Sequence, residues 1–387
     1  MKNTNTYDVL IIGGGISACV FASNYLKNNF RSKIAIIEAG RRLGGRASTR
    51  NSKRFKGWKL NHGSPNLNIF NRNNNESMQN FIDELLKNKI IKIDDSDLIQ
   101  LGSDLKLDSI KNSDFSFGNN YNSFTSMTEL SQNIVSLNNL RNQIDFYFGT
   151  LIIDMKFSEN EWALTSVKGD KFISKFIVCS SNLLLHKRSI LILNINQIPL
   201  RKAIPKNQDK KIDSLLNILN QQLYIPRLVF LIYTKKNYRY KDEYSKKYRY
   251  FYLKKDLENK FKFERVIFQL QNNNKLGIVI HTRSKEFIEE YLKNKKEDKV
   301  KEKILTLFND LFQHNSCINQ LLGSEEISIM SWRASQPFGL AVPFSLQFSS
   351  KYKIGFCGDW FEGEGFGRIE GAILSALKLA DKFKSIN

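Results

Sequence analysis

Residues 7–12 (YDVLII) form a continuous apolar run after Asp8, and three successive glycines, Gly13, Gly14 and Gly15, end it at once. A run with no polar alternation is the pattern of a strand buried on both faces of a parallel sheet. Gly13, Gly15 and Ala18 then fit GxGxxA. In that spacing the first glycine permits a tight turn, the second lets backbone approach a pyrophosphate, and the alanine allows a helix to pack closely on the strand. The helix is expected to run to about residue 28, with the backbone N–H groups of its first turn, at Ile16 and Ser17, aimed at the phosphates. A second strand over 34–37 ends at Glu38, about 20 residues beyond Ala18, where an acid accepts hydrogen bonds from ribose hydroxyls. These pieces predict a nucleotide-binding βαβ unit and leave open whether the dinucleotide is NAD(P) or FAD.

The chain continues for 387 residues, which calls for two domains or one large elaborated one. With 41% hydrophobic residues, including 28 Phe and 14 Tyr, it can bury a sizeable core, and this excludes a disordered chain. No apolar run approaches the roughly 20 residues that span a bilayer. Only six residues precede the first strand, so no signal peptide is expected and the cytoplasm is the default location. Cys19, Cys179, Cys317 and Cys357 are scattered without a CxxC and read as packed hydrophobes. The four histidines, His62, His186, His281 and His314, include no pair at metal spacing, and no metal site is expected.

Directly after Glu38 comes Ala39-Gly40-Arg41-Arg42-Leu43-Gly44-Gly45-Arg46. This resembles the EAxxRxGGR segment of the flavin-containing amine oxidase superfamily. Gly44 and Gly45 would bring a second stretch of backbone N–H groups to the pyrophosphate, with Arg46 as a cation beside its charges. Residues 354–383 (IGFCGDWFEGEGFGRIEGAILSALKLADKF) resemble the C-terminal flavin segment of the same superfamily. By that resemblance Gly358 turns the chain, Asp359 bonds the ribityl or pyrophosphate region, and the stretch Arg368, Ile369, Glu370 and Gly371 opens a helix beside flavin N1 and C2. The segment Phe148-Gly149-Thr150-Leu151 resembles the approach to the adenine. The implied cofactor is FAD, held non-covalently, since no cysteine or histidine lies in an attachment motif.

Within the superfamily the chain resembles the renalase-like branch, bacterial and cyanobacterial oxidoreductases. Leu60-Asn61-His62-Gly63-Ser64-Pro65 stands where those proteins have a DHGA-like turn under the isoalloxazine, with Asn61 in place of the acid. Ser331-Trp332-Arg333-Ala334-Ser335-Gln336-Pro337 resembles their WRYSQ-like segment near the ring. The resemblance implies oxidation of a small planar dihydronicotinamide by hydride transfer to flavin N5, with oxygen reoxidising the flavin and releasing peroxide. His62, Trp332 and Arg333 become the substrate-facing candidates: His62 as a proton-transfer group or a structural residue of the turn, Trp332 as a stacking wall or core aromatic, Arg333 as a clamp for phosphate or carboxylate. Trp360 either faces the flavin or packs in the core.

The fold expected is α/β: a Rossmann-like FAD-binding domain over 1–76, 118–183 and 324–387, with an inserted α+β substrate domain, an antiparallel sheet plus helices, over 77–117 and 184–323. Strands are predicted near 90–93, 98–101, 228–233, 248–253, 266–270 and 277–282, and helices over 78–86, 284–292 and 298–312. Net charge is +21, from 59 Lys or Arg against 38 Asp or Glu, and it concentrates in 235–265, where 12 bases face 5 acids among many aromatics. The alternation Lys247-Tyr248-Arg249-Tyr250 favours a half-exposed hairpin over a single-stranded nucleic acid surface. Peripheral association with an anionic membrane is the other use of such a stretch, and it would suit an enzyme taking a lipophilic isoprenoid, pigment or amine. A non-catalytic flavoprotein acting through its basic surface is the third reading.

Overall fold

A computed structural model of the chain describes residues 5–70, 75–101, 107–109, 118–237, 248–271, 275–313 and 325–384. The predicted opening forms as β1 (Asn5–Ile12), α1 (Ile16–Asn28) and β2 (Ile34–Glu38). These strands lie in an eight-stranded sheet whose central order is Ile144–Phe148, β2, β1, Lys171–Cys179, all parallel. The Lys171–Cys179 strand changes partner along its length. Its first half pairs antiparallel with Glu161–Ser166, and Ile177, Val178 and Cys179 pair parallel with Ile354–Phe356. The apolar run of β1 is explained by burial on both sides: Val9 and Ile11 join the core under α1, while Leu10 and Ile12 join the core of the opposite face. The C-terminal helix Ile369–Lys384 packs along α1, with Phe383 edge-on to both Phe21 and Tyr25. The chain therefore has the mixed α/β fold that the opening motif announced, with a second, mostly antiparallel sheet.

That second sheet runs Glu325–Phe338, Leu223–Asn237, Lys275–Thr282, Arg265–Gln271, Tyr248–Leu253, Asp97–Leu101, Leu107–Ser109. Pairing is antiparallel throughout except between Tyr248–Leu253 and Asp97–Leu101. Helices Lys255–Phe261, Lys285–Leu292 and Glu297–Leu311 cover one face through Leu257, Phe287, Val300, Ile304 and Phe308. The other face packs Val229, Leu231, Tyr233 and Val279 against Trp58 and Leu60 from the N-terminal part of the chain. Gly277 leaves the room that Leu60 fills, and any Cβ there would collide with its methyl groups.

The division into domains is redrawn by the packing. Of the 77–117 block, α2 (Glu76–Lys87) buries Met78, Phe81, Ile82 and Leu85 in the core of α1, and Ile91–Ile93 pairs with Asn119–Ser123 in a small sheet. Of the block's described residues, only Asp97–Leu101 and Leu107–Ser109 join the second sheet. Residues 184–222 also leave the substrate side: Leu200, Ile212, Leu215 and Leu219 pack beneath the first sheet with Leu10 and Ile12. Glu325–Phe338, assigned to the FAD-binding part, is an edge strand of the second sheet. An amphipathic stripe shows that a helix is buried without showing against what, and the boundaries erred there.

The predicted basic hairpin falls partly on 238–247, outside the described residues. Its remaining strand, Tyr248–Leu253, buries Tyr250 on one face and Phe251 on the other. It is thus a two-sided core strand rather than one with all its aromatics on one side. Among the described residues no helix is long and apolar enough to cross a membrane.

Candidate functional site

The glycine turn builds a cradle. Gly13 holds φ +101°, a region favouring glycine, and its N–H donates to the Ile37 carbonyl at 2.8 Å. Gly15 is the N-cap of α1 and offers no side chain to its first-turn N–H groups. A Cβ placed on Gly15 would meet nothing within 4 Å, because this residue borders an open cavity. The second glycine loop lies against the first: the Gly44 N–H donates to the Gly14 carbonyl at 2.8 Å, and Gly15 and Gly44 form a parallel bridge. Glu38 is fixed beside them, its two oxygens accepting from the Gly14 and Gly40 N–H groups at 2.6 and 2.5 Å. Each oxygen keeps a lone pair for a hydroxyl donor. Bare backbone donors, an acid at ribose distance and the room a Cβ would fill are what a dinucleotide pyrophosphate and its ribose require.

Arg46 and Asp359, each expected to touch the ligand, hold one another. The guanidinium spans both carboxylate oxygens at 2.6 Å and donates to the Ser335 carbonyl at 3.0 Å. This bidentate pair ties the N-terminal loop to the C-terminal one at the cavity wall and neutralises much of the charge expected for the pyrophosphate. Arg188 supplies another cation on the same wall. It lies over the Tyr224 ring at 4.2 Å, donates to Asn182 Oδ1 at 2.5 Å, and among the described residues has no carboxylate within ion-pair distance. Burial lowers its pKa.

The cavity holds about 570 Å³ and runs from the cradle to the inner face of the second sheet. The expected cofactor residues on it are Gly13, Gly15, Ile16, Ser17 and Glu38, then Gly44, Gly45 and Arg46, then Gly63, and from the C-terminal segment Gly358, Asp359, Arg368 and Ile369. Trp332 lies on its wall, as does Trp360, which is also buried among Phe356 and Phe361.

Several expected residues stand elsewhere. Ala18 is wholly buried between helix and sheet, and Ala39 and Arg41 are exposed. Asn61 uses its Oδ1 to accept from Thr49 Oγ1 and from the N–H of Met127, the first residue of α3 (Met127–Ser136), so it organises the turn. Leu151 gives its carbonyl to the Val167 N–H. Glu370 accepts from the Phe70 N–H at 3.0 Å, and Gly371 packs on Gly365. His62 stacks on the Trp332 ring, centroids 5.2 Å apart, and its Nε2 meets Ser48 Oγ at 3.1 Å. Burial, then the nearby Arg50, pushes its pKa down to about 4, so at neutral pH it is an uncharged support for Trp332. Arg333 is corrected outright. Alternation along Glu325–Phe338 points Trp332 and Ala334 at the cavity and leaves Arg333 exposed.

The arginines at the inner sheet face are ones the sequence reading passed over. Arg227 stands opposite Trp332 in register, donating to Ser335 Oγ at 2.9 Å and to Glu264 at 2.8 Å. Burial lowers its pKa to about 10 against the opposing pull of Glu264. Arg265 lies between Tyr252 and His281 in the strand register, and its Nε and Nη2 donate to His281 Nδ1 at 3.2 and 2.9 Å. The available signal was a polar residue at the end of an apolar run, Arg227 before LVFLIY and His281 after GIVI.

The family described as NAD(P)-binding Rossmann-like domain matches residues 11–85, a span that includes α2 up to Leu85. No curated protein sequence matches the chain. Among solved structures, wild-type putrescine oxidase bound to putrescine is similar over 99% of this chain and 100% of that one, at 11% identity and TM-score 0.65. Cyclohexylamine oxidase from Brevibacterium oxydans IH-35A is similar over 98% of this chain and 99% of that one, at 11% identity and TM-score 0.67. These likenesses establish a shared fold.

Proposed function

We propose that the protein is an FAD-dependent oxidoreductase that accepts a hydride from a small planar donor of the dihydronicotinamide type, as renalase-like proteins do. The observation carrying this reading is the continuity of one cavity from the Gly15 cradle to the Trp332 wall. Bound there, FAD would supply the hydride acceptor, with oxygen as the terminal oxidant. Gly15 and Gly45, beside the first turn of α1, would hold its pyrophosphate, Glu38 its ribose, and Arg188 would balance charge. Trp332, backed by His62, would keep the donor flat and exclude water from it. Neither imidazole near the cavity serves as a base with an ordinary pKa: burial lowers both His62 and His281. A donor whose ring nitrogen expels the hydride needs no such base. The putrescine and cyclohexylamine oxidases add support at the level of fold, and their names suggest amines as the competing substrates.

One surface feature favours a lipophilic donor taken from an anionic membrane instead. Leu191 is 88% exposed, and Ile192, Leu223, Phe338 and Leu340 are each more than half exposed. Leu223 and Phe338 are cross-strand partners, and the helix bearing Leu191 and Ile192 begins at Arg188 on the cavity wall. Retention on anionic but not zwitterionic vesicles would support this arrangement.

The test is an absorbance spectrum of the purified protein, then anaerobic titration with NADH, NADPH and isomeric dihydronicotinamides. Bleaching by the isomeric donors alone, with recovery and peroxide in air, is expected. A bound flavin reduced by no donor, amines and lipids included, would favour the non-catalytic reading, and a protein unable to take up FAD would refute the proposal.

A further inference from the structure

We infer that the sheet-side end of the cavity is a built receptor for an anionic oxygen group, a carboxylate or phosphate, so that the donor of the proposed reaction carries a negative charge beside its planar ring. The inference rests on the proposed oxidoreductase reading for the word donor, while the receptor itself is made only of this chain's residues.

The first ground is an excess of unused donors. Arg227 Nε, His281 Nε2 and Trp332 Nε1 are all buried and meet no hydrogen-bond partner, and all three residues line the same cavity. His281 is 2% exposed. Its Nδ1 accepts from Arg265, which places the ring proton of the neutral tautomer on Nε2. Burial, reinforced by Arg265 and Arg227, holds His281 far below its ordinary pKa and hence neutral. Buried N–H groups without acceptors are rare in folded proteins, and three on residues of one cavity wall call for a ligand rich in acceptor oxygens.

The second ground is charge. Among the described residues, Glu264 is the acid lining this end of the cavity, and Arg227 engages it directly while Arg283 approaches at 3.6 Å. Arg265 contacts the neutral His281, and no carboxylate among the described residues comes within ion-pair distance of it. The wall therefore carries a surplus cation and a set of donors, which attracts a carboxylate and repels an alkylammonium ion. Strand register makes the receptor rigid, because Tyr252, Arg265 and His281 are lateral neighbours on three adjacent strands.

The experiment is isothermal calorimetry on the FAD-loaded protein with benzoate, phenyl phosphate, benzamide and putrescine, in parallel with perturbation of the flavin spectrum. Benzoate or phenyl phosphate is expected to bind, the tighter of the two identifying the group, with benzamide and putrescine far weaker. Arg265→Gln should weaken the anion by about 10- to 100-fold, the loss of a charge-assisted hydrogen bond. Trp332→Phe, which keeps the ring and removes one donor, should weaken it by about 3- to 10-fold. Equal binding of benzamide or putrescine, or an unchanged anion affinity in both variants, would overturn the inference. Should the protein take up no flavin, the oxidoreductase reading fails separately, and calorimetry of benzoate on the flavin-free protein still decides the receptor.

Discussion

Replacing Gly15 by valine separates the cradle's role in binding from any role in folding. Gly15 has φ −74° and ψ 178°, extended backbone open to any residue, and a Cβ there has no neighbour within 4 Å. The cost to folding is that of a poor N-cap, about 1 kcal/mol at most. The new methyl groups, however, occupy the space the pyrophosphate needs. If they deny it two charge-assisted bonds from backbone N–H groups, each contributing about 1.5–3 kcal/mol, FAD affinity falls by about 3–6 kcal/mol, or roughly 10²- to 10⁴-fold. The assay is quenching of flavin fluorescence on titration, beside a circular-dichroism melt. Gly44→Ala is the contrasting control, since Gly44 sits at φ +123° and its Cβ would lie 2.6 Å from the Ala47 carbonyl oxygen, so that variant should lose its fold. A Gly15→Val protein that melts normally and still binds FAD at the wild-type affinity would refute the placement of the cofactor.

The exposed position of Arg333 predicts that Arg333→Ala leaves the donor's KM unchanged, whereas Trp332→Ala raises it about tenfold or more in steady-state assays. For His62, a folded pKa near 4 against about 6.5 unfolded means that the unfolded chain binds the extra proton between those values. Stability is therefore highest above pH 6.5 and falls by about 3 kcal/mol as pH drops to 4, and urea melts of His62→Gln should show a shallower decline. Gly277→Ala should destabilise by about 1–3 kcal/mol through overpacking against Leu60, and Leu60→Val should restore part of the loss in a double-mutant cycle.

The cradle was legible because its parts are local. Gly13, Gly15 and Glu38 lie within 26 residues, and their spacing alone fixes strand, turn and helix. Arg46 and Asp359 were each recognisable, yet their mutual ion pair joins positions 313 residues apart, and nothing local records that separation in space. Of the substrate-wall candidates, Trp332 lies on the cavity and Arg333 does not, for a different reason. Strand parity decides whether Trp332 or Arg333 faces inward, and a shift of one residue exchanges them. That parity is set by pairing with Leu223–Asn237, where Arg227 stands opposite Trp332. The second sheet's arginines on the cavity wall are instead Arg227, on the adjacent strand, and Arg265, three strands across the sheet.

The packing of the C-terminal helix on α1 also orders events in time. Phe21 and Tyr25 find their cover in Phe383, and the cradle is closed by Asp359 across from Arg46. A ribosome making about 5–20 residues per second spends about 20 to 70 s between these two ends. Throughout that interval Phe21 and Tyr25 lack the ring that later covers them edge-on. On the proposed function, capture of FAD would need both ends and would therefore be among the last steps in the protein's biogenesis.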